Sequence, residues 1–287
     1  MKLPQSKKVG LSVVLATRNE EANIGRCLES IKSIADEIIV VDEESSDKTR
    51  EIAESLGAKV FTQPHEEIFH ITKEKALKKA TGEWILQMDA DEVVTPELAK
   101  EIVSTIHGSS STVINPLFFR HQKLIEERDG KVGKETGEVV GYFIPRRNMF
   151  LGKPLIHAGV YPDGVIRLVR NGFAHFPQKS VHEQISLDGK VSWLTNDILH
   201  YDSPTLGKYL ARLNRYTDLQ AEELKAKKVP KNFWQFCVYT IFLPLFTFFN
   251  LYFRHLGVLD GVRGFLWSFF SATHFPVAYF KYLTNRN

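Results

Sequence analysis

Short apolar runs alternate with amphipathic stretches over the first hundred residues. The runs LSVVLA (11–16), EIIVVD (37–42) and WILQM (84–88) predict buried strands. Between the first two, apolar residues recur at helical spacing over 21–34, which predicts an amphipathic helix. Strands that alternate with helices of this length are typical of βαβ units, so the pattern predicts an α/β fold with a mainly parallel sheet flanked by helices.

Polar side chains follow the ends of these strands. Right-handed crossovers would bring Ala16, Asp42 and Asp89 to one edge of the sheet, the edge at which open α/β sheets bind ligands. Asp89-Ala90-Asp91 comes directly after WILQM. Two carboxylates one residue apart can share Mg²⁺ or Mn²⁺, because these cations prefer oxygen ligands. The position at the ligand edge favours a metal-binding role over a solvated acidic turn.

The ends of the first two strands carry weaker signals. Asp42 could accept hydrogen bonds from the base or ribose of a nucleotide. The alternative is helix capping, which would explain Ser46 or Asp47 better than Asp42. The backbone from Ala16 to Glu20 could line the same pocket.

The second half of the chain has a different character. From about 113 to 200 the pattern is β-like with Gly and Pro turns, and 203–228 returns to helix. The stretch 233–253 has no charged residue and is rich in Phe, and 264–280 is a second uncharged aromatic stretch. Basic residues flank both stretches: Lys227, Lys228, Lys231, Arg254, Arg263 and Lys281. This pattern favours helices in an anionic cytoplasmic interface; a membrane span or re-entrant hairpin, or a buried core or dimer face, stays open.

Composition adds three limits. The 37 basic and 34 acidic residues give a net charge of +3, too mild to indicate nucleic acid binding. Cys27 and Cys237 lie far apart, and Cys27 falls on the apolar stripe of the first helix, so a reduced core thiol is expected. The first ten residues are polar and basic without an apolar core, so no secretory signal is expected.

Three segments resemble the nucleotide-binding half of inverting family 2 glycosyltransferases with the GT-A fold. They are LSVVLATRNEEANIGRCLESI, VVDEESSDKT and WILQMDADE. Further segments resemble the lipopolysaccharide-core heptose glucosyltransferase branch of that family: 167–170, 180–183, 199–201, 209–216 and 259–265. The resemblance covers nearly the whole chain. It implies an inverting transferase that moves a hexose from a UDP-sugar onto a hydroxyl of a cell-envelope glycan such as lipopolysaccharide core.

By position, the resemblance assigns the nucleotide sugar to one set of residues: Ala16, Thr17, Glu20, Asp42, Lys73, Asp89 and Ala90. Within it, Asp42 would contact the nucleoside and Lys73 a phosphate. Asp91 would be the principal ligand of Mg²⁺ or Mn²⁺ on the diphosphate, with Asp89 near the ribose and the metal. Glu43 and Glu74 depart from the family pattern and leave the nucleobase and sugar preference open.

The acceptor side depends on three positions and a candidate base, and His200 is a further candidate for the metal. Glu183 is the candidate general base, because the matching Glu of the branch faces the sugar site; the alternative is a salt-bridged Glu on a turn. Arg167, Arg170 and His182 could hold phosphate or acidic sugar groups, although ordinary surface strands also carry such residues. His200 could be a metal ligand or a structural histidine.

The expected mechanism is a single displacement with inversion, without a covalent enzyme intermediate. Two rival functions remain: a polyprenyl-phosphate glycosyltransferase, whose acceptor is already ionised, and a non-catalytic GT-A binding module. We expect a GT-A domain over 1–230, with a nucleotide-binding half to about 110 and an acceptor half after it, and a helical membrane-associated tail over 231–287.

The expected partners follow from this organisation. They are a nucleotide-diphosphate sugar, a lipid-anchored glycan acceptor and the cytoplasmic side of the bacterial inner membrane, without nucleic acid. The tail could also hold a homo-oligomer together.

Overall fold

The computed structural model describes residues 10–109, 115–177 and 185–284. By packing, the chain divides into two compact units. Unit 1 comprises Met1–Arg146 and Pro162–His200, and unit 2 comprises Arg147–Tyr161 and Tyr201–Asn287. This is a division by packing, and the domains expected over 1–230 and 231–287 stay a prediction.

Unit 1 begins with strands and helices in strict alternation. The elements are β1 (Leu11–Thr17), α1 (Ile24–Ile31), β2 (Glu37–Asp42), α2 (Thr49–Ser55), β3 (Lys59–Thr62), α3 (Phe69–Lys79), β4 (Trp84–Met88), β5 (Glu92–Val94) and α4 (Pro96–Ile106). The following described elements are α5 (Pro116–Asp129), β6 (Lys134–Phe150), β7 (Lys153–Pro154), β8 (Asp163–Arg170), β9 (Ala174–His175), β10 (Ser186–Leu187), β11 (Lys190–Trp193) and β12 (Ile198–Ser203). Strands β6 and β12 continue into unit 2, which also contains β7.

The large sheet of unit 1 is parallel in one half and antiparallel in the other. Its strands follow the order β3-β2-β1-β4-β8-β6. The first four are parallel neighbours, whereas β8 is antiparallel to β4 and β6 is antiparallel to β8. The predicted α/β class is confirmed, but the mainly parallel sheet holds only for the βαβ part. Strand β8 therefore runs opposite to the four parallel strands, and β6, antiparallel to β8, runs in the direction of β4 again.

The strands of the parallel half are buried on both faces. Every residue of β1, β2 and β4 is buried. Successive residues of β2 alternate between two core clusters: Ile38 and Val40 pack with α1, and Ile39 and Val41 pack with α3. Cys27 of α1 is a buried free thiol, as its place on the apolar stripe predicts. This two-sided burial fixes where each strand ends, and with it the position of the polar residues that follow.

Unit 2 is mainly helical. Its helices and turns are α6 (Leu206–Ala226), α7 (Phe233–Cys237), a π turn (Val238–Phe242), α8 (Leu243–Phe249), a second π turn (Asn250–Arg254), a 3₁₀ turn (Gly257–Asp260) and α9 (Gly261–Thr284). Pro244, which has no N–H to donate, is the second residue of α8 and lies two positions after the first π turn, where the helix adjusts its hydrogen bonding.

One helical segment among the described residues is long and apolar enough to cross a membrane, judged by length and composition. It is Phe233–Arg254, which has 22 residues and a mean hydropathy of 1.7, and 0% of its most apolar stretch is buried. Of the two predicted aromatic stretches, the first therefore forms a nearly continuous helix and the second lies within α9.

Candidate functional site

The carboxyl ends of the parallel strands meet at one edge of unit 1. Thr17 lies opposite Asp42 in the register of β1 and β2, and Met88, which precedes Asp89, lies opposite Leu15 in β1. The predicted strand-end residues therefore share one edge of the sheet.

Asp89 is ion-paired through both carboxylate oxygens. The Lys73 Nζ lies 2.5 Å from its Oδ1, and an Arg167 guanidinium N–H donates to its Oδ2 over 2.5 Å. Burial raises the pKa of Asp89, but the charges of Arg167 and Lys73 outweigh it and hold this pKa well below its ordinary value. Lys73 and Arg167 are themselves buried. Asp89 is therefore ionised, and it holds two cations at the strand end.

Glu92 is a fully buried carboxylate behind this pair. Its Oε2 accepts the Asp89 backbone N–H at 3.0 Å, and its Oε1 accepts two N–H groups of Arg167 at 3.2 and 2.6 Å. Arg146 places a guanidinium nitrogen 3.7 Å from the same Oε1 and is paired with Asp163 at 2.7 Å. Glu92 thus fixes the turn that carries the carboxylates. Glu92 belongs to the acidic motif Asp89-Ala90-Asp91-Glu92, but the sequence gives neither Glu92 nor Arg146 a role of its own, because nothing in the local pattern signals their burial.

Asp91 lies beside His200. The His200 Nε2 is 3.4 Å from the Asp91 Oδ2, and both side chains are partly accessible. Burial raises the pKa of Asp91, but the hydrogen bond and charge of His200 outweigh it, so this pKa is lowered. The Asp91 carboxylate is the type of ligand that Mg²⁺ and Mn²⁺ prefer, and imidazole is a common ligand of divalent transition metals.

No group of three or more His, Cys, Asp or Glu side chains that could hold a metal ion occurs in the described part of the chain. Asp91 and His200 would therefore supply only part of a coordination shell. Mg²⁺ is usually bound in this way, through one or two carboxylates with substrate phosphates and water. The two side chains fit such a shared site.

Asp42 is hydrogen-bonded to neighbouring side chains and backbone of unit 1. It is fully buried, and it accepts hydrogen bonds from the Thr17 hydroxyl at 2.8 Å, the Ser45 N–H at 2.8 Å and the Ser45 hydroxyl at 2.6 Å. The neighbouring Glu43 is also buried and lies 2.6 Å from the His65 Nδ1. In this arrangement Asp42 orders the loop after β2. Its contact with a nucleoside stays a prediction.

The loops after β1 and β2 are held together by side-chain hydrogen bonds. Asn19 has φ of 54°, donates its N–H to the Ser45 hydroxyl at 2.8 Å and accepts the Ser46 N–H at 2.9 Å. Glu20 donates its N–H to the Thr49 hydroxyl at 2.7 Å. Left-handed backbone at non-glycine residues costs free energy and concentrates at functional sites. The predicted pocket-lining segment from Ala16 to Glu20 is therefore fixed in place by the second loop.

The structure does not bring every candidate to this edge. Arg170 lies opposite Trp84, at the beginning of β4, and pairs with Glu83 at 3.5 Å and Glu138 at 2.8 Å. It is therefore at the far end of the strand from Asp89, whereas Arg167 is at the site. His182 and Glu183 lie outside the described residues, and their roles stay predictions.

Replacing Glu92 by Gln should destabilise the protein. The substitution removes one negative charge from beside the buried guanidinium groups. The free energy of unfolding should therefore fall by about 3 kcal/mol. The measurement is urea unfolding in mild detergent. The control is Glu138→Gln, since that side chain is 80% exposed and pairs only at the surface with Arg170; it should change stability by less than about 1 kcal/mol. Equal effects of the two substitutions would contradict the structural role of Glu92.

Similarity to known proteins is consistent with this geometry. The family model for glycosyl transferase family 2 matches residues 12–155. An uncharacterized glycosyltransferase of Rickettsia bellii is 31% identical over 233 residues, covering 77% of this chain and 70% of the relative. The lipopolysaccharide core biosynthesis glycosyltransferase LpsC of Rhizobium meliloti is 25% identical over 280 residues, covering 92% of this chain and 91% of the relative.

Solved structures give a weaker likeness. The crystal structure of glucosyl-3-phosphoglycerate synthase from Mycobacterium tuberculosis with Mn²⁺ and UDP-glucose is 26% identical over 35% of this chain, with a TM-score of 0.31. The chain spans only 40% of that protein's length. The family match and the R. bellii relative are more extensive, and they confirm the resemblance found in the sequence. The chain belongs to glycosyl transferase family 2.

Proposed function

We propose that this chain is an inverting, cation-dependent glycosyltransferase that moves a hexose from a UDP-sugar onto a hydroxyl of a cell-envelope glycan such as lipopolysaccharide core. The observation that carries the proposal is the turn after β4, where Asp91 lies beside His200 and Asp89 holds Lys73 and Arg167. The similarity to LpsC, which extends over 92% of this chain, supports the lipopolysaccharide-core acceptor.

The donor diphosphate would meet the cationic side of this turn. Lys73 belongs to α3 and reaches Asp89 with a flexible side chain, whereas Arg167 is held by Asp89, Glu92 and Gln87. A phosphate oxygen of the donor can therefore pair with the Lys73 ammonium in place of Asp89, while the Arg167 guanidinium stays where it is. Because Arg167 is already held in place, only the Lys73 side chain has to move as the donor binds, and both groups are then in position when charge develops on the leaving diphosphate.

Asp91 and His200 would hold Mg²⁺ or Mn²⁺ together with donor phosphate oxygens. When bound, the cation would act as a Lewis acid that stabilises the leaving diphosphate. Asp89 fits less well as a direct ligand, because both of its oxygens are already paired with cations. We propose that Asp89 positions Lys73 and Arg167. Its contact with the ribose or the metal stays a prediction from the sequence.

Glu183 would act as the general base. The acceptor oxygen attacks the anomeric carbon on the face opposite the diphosphate, while its proton passes to the Glu183 carboxylate. The bond from the anomeric carbon to the diphosphate oxygen breaks, and its electron pair leaves with the diphosphate. One displacement of this kind inverts the configuration, with no covalent intermediate on the protein.

The attachment to a membrane completes the proposal. The apolar helix Phe233–Arg254 and the basic residues around it support association with the cytoplasmic side of the inner membrane. A lipid-anchored glycan would be presented there to the transferase.

Asp91→Ala should reduce transfer by about 10²–10³-fold, as expected for the loss of one electrostatic stabiliser of the leaving group. EDTA should have the same effect on the unaltered protein. The measurement is release of nucleotide from a panel of nucleotide sugars, with and without Mn²⁺. Asp188→Ala is the matched control, since this carboxylate is 70% exposed and pairs with Lys134, and it should retain activity. Full activity in EDTA would contradict the proposed dependence of transfer on a divalent cation.

Glu183→Gln should lower turnover by about 10²-fold or more while donor affinity stays unchanged, because an amide cannot take the acceptor proton. Single-turnover transfer and donor binding, measured separately, distinguish the two effects. Glu135→Gln, at a side chain that is 83% exposed, serves as the control and should be neutral. An active Glu183→Gln variant would instead favour an acceptor that is already ionised, such as a polyprenyl phosphate.

A further inference from the structure

The apolar helix of unit 2 exposes one continuous side. Phe242, Leu245, Phe246, Phe249 and Phe253 are all exposed, and their spacing places them on one face of the helix Phe233–Arg254. Large exposed apolar patches mark interaction surfaces on proteins, whereas singly exposed apolar residues do not.

Helix α9 extends this side. Phe265, Phe269 and Phe280 are exposed along it. The rings of Phe236 and Phe280 lie 6.2 Å apart, and those of Phe248 and Phe265 lie 5.8 Å apart. The two helices therefore pack against each other through aromatic rings. We call their exposed side chains the aromatic face: Phe242, Leu245, Phe246, Phe249, Phe253, Phe265, Phe269 and Phe280.

The opposite side of α9 is covered by α6. Ala221 and Leu224 of α6 form a buried cluster with Tyr279 and Tyr282, and the ring of Tyr209 lies 5.9 Å from that of Trp267. Helix α6 therefore accompanies α9 along its length. It carries seven charged residues: Lys208, Arg212, Arg215, Asp218, Glu222, Glu223 and Lys225. If α9 crossed a bilayer, these charges would have to enter the hydrocarbon, where each is costly.

Both ends of the apolar helix are tied to polar parts of the same unit. Before the helix begins, the Lys231 ammonium donates to the Tyr282 carbonyl at 3.3 Å. After it ends, the His255 carbonyl accepts the Ala158 N–H at 2.8 Å. A helix of 22 residues is about 33 Å long, enough to separate its two ends by a hydrocarbon core if it crossed one.

The turn before α9 adds two bonds to this second attachment. The Asp260 carboxylate accepts the backbone N–H groups of Ile156 at 3.2 Å and His157 at 2.8 Å. The segment 153–161 contains polar residues and turns, and it forms no helix. Since lipid-exposed irregular backbone is not tolerated in hydrocarbon, the turn and this segment belong at the aqueous boundary.

We propose that the aromatic face lies in the plane of one membrane leaflet, with α6 on its aqueous side, so that the helix Phe233–Arg254 does not span the bilayer. This inference rests on the membrane attachment proposed above and specifies its geometry. No acidic residue occurs from 227 to 259, while Lys227, Lys228, Lys231 and Arg254 are exposed at the two ends of the helix. Anionic headgroups would neutralise these charges. A second copy of the chain would bring equally basic ends together.

Flotation with sealed vesicles that contain about 30% anionic phospholipid tests the attachment, because basic residues are attracted to anionic leaflets. Phe246→Asp, at a side chain 67% exposed on the aromatic face, should weaken vesicle binding by about tenfold or more. Phe119→Asp, at a side chain 51% exposed in α5, is the matched control and should bind vesicles normally. Nucleotide-sugar hydrolysis in detergent, measured in parallel, shows whether a variant remains folded and active. A chain that is active and monodisperse without detergent and ignores the vesicles would overturn the proposal.

Labelling from each side of the membrane tests the orientation. In a Cys237→Ser background, Lys227→Cys and Arg254→Cys place single thiols at the two ends of the helix, while Cys27 stays buried. A membrane-impermeant maleimide is then applied to sealed right-side-out and inside-out membrane vesicles that contain the protein. The in-plane arrangement predicts that both thiols react from the same side. Reaction from opposite sides would show that the helix spans the bilayer and would overturn the inference, whatever the enzymatic activity of the preparation.

Discussion

The candidate site depends on the ion pairs and the backbone hydrogen bond that the buried Glu92 carboxylate makes. A charge buried in a protein must be balanced, since an isolated one costs several kcal/mol. In the described structure three carboxylates and three cationic groups balance one another at the strand end: Asp89, Glu92 and Asp163 with Lys73, Arg146 and Arg167. Glu92 is the central member, because it touches two of the arginines and the backbone of Asp89. Asp91 lies beside this set, next to His200.

This balance explains how one short turn can serve two purposes. Asp89 pairs with two cations and keeps them ordered, while Asp91, which is about equally exposed, has an imidazole beside it. The two carboxylates of the motif are chemically alike, but their surroundings separate their roles. In the proposed function, the ordered cations receive the diphosphate and Asp91 shares the divalent ion. The parallel half of the sheet supplies the rigid support that such preorganisation requires.

Much of this could be predicted from the sequence. The periodicity of the first hundred residues predicted the βαβ order, and the acidic motif directly after WILQM indicated the ligand edge. The later strands were harder, because antiparallel pairing between distant segments leaves no local signal. Arg167 and Arg170 were given the same role, although residues three apart in a strand point to opposite faces. Glu92 and Arg146 are 54 positions apart in the chain and meet only through the fold, so neither could be identified as part of one network.

In the proposed function, a nucleoside diphosphate and a divalent cation bind together at the turn after β4. Calorimetric titration of UDP into the detergent-solubilised protein, with Mn²⁺ present and then with EDTA, measures this directly. Mn²⁺ should strengthen UDP binding, and the Asp91→Ala substitution should remove this gain. Lys73→Met should weaken UDP binding even with Mn²⁺ present. UDP binding that is unaffected by Mn²⁺, EDTA and both substitutions would show that the two ligands do not bind together at this turn.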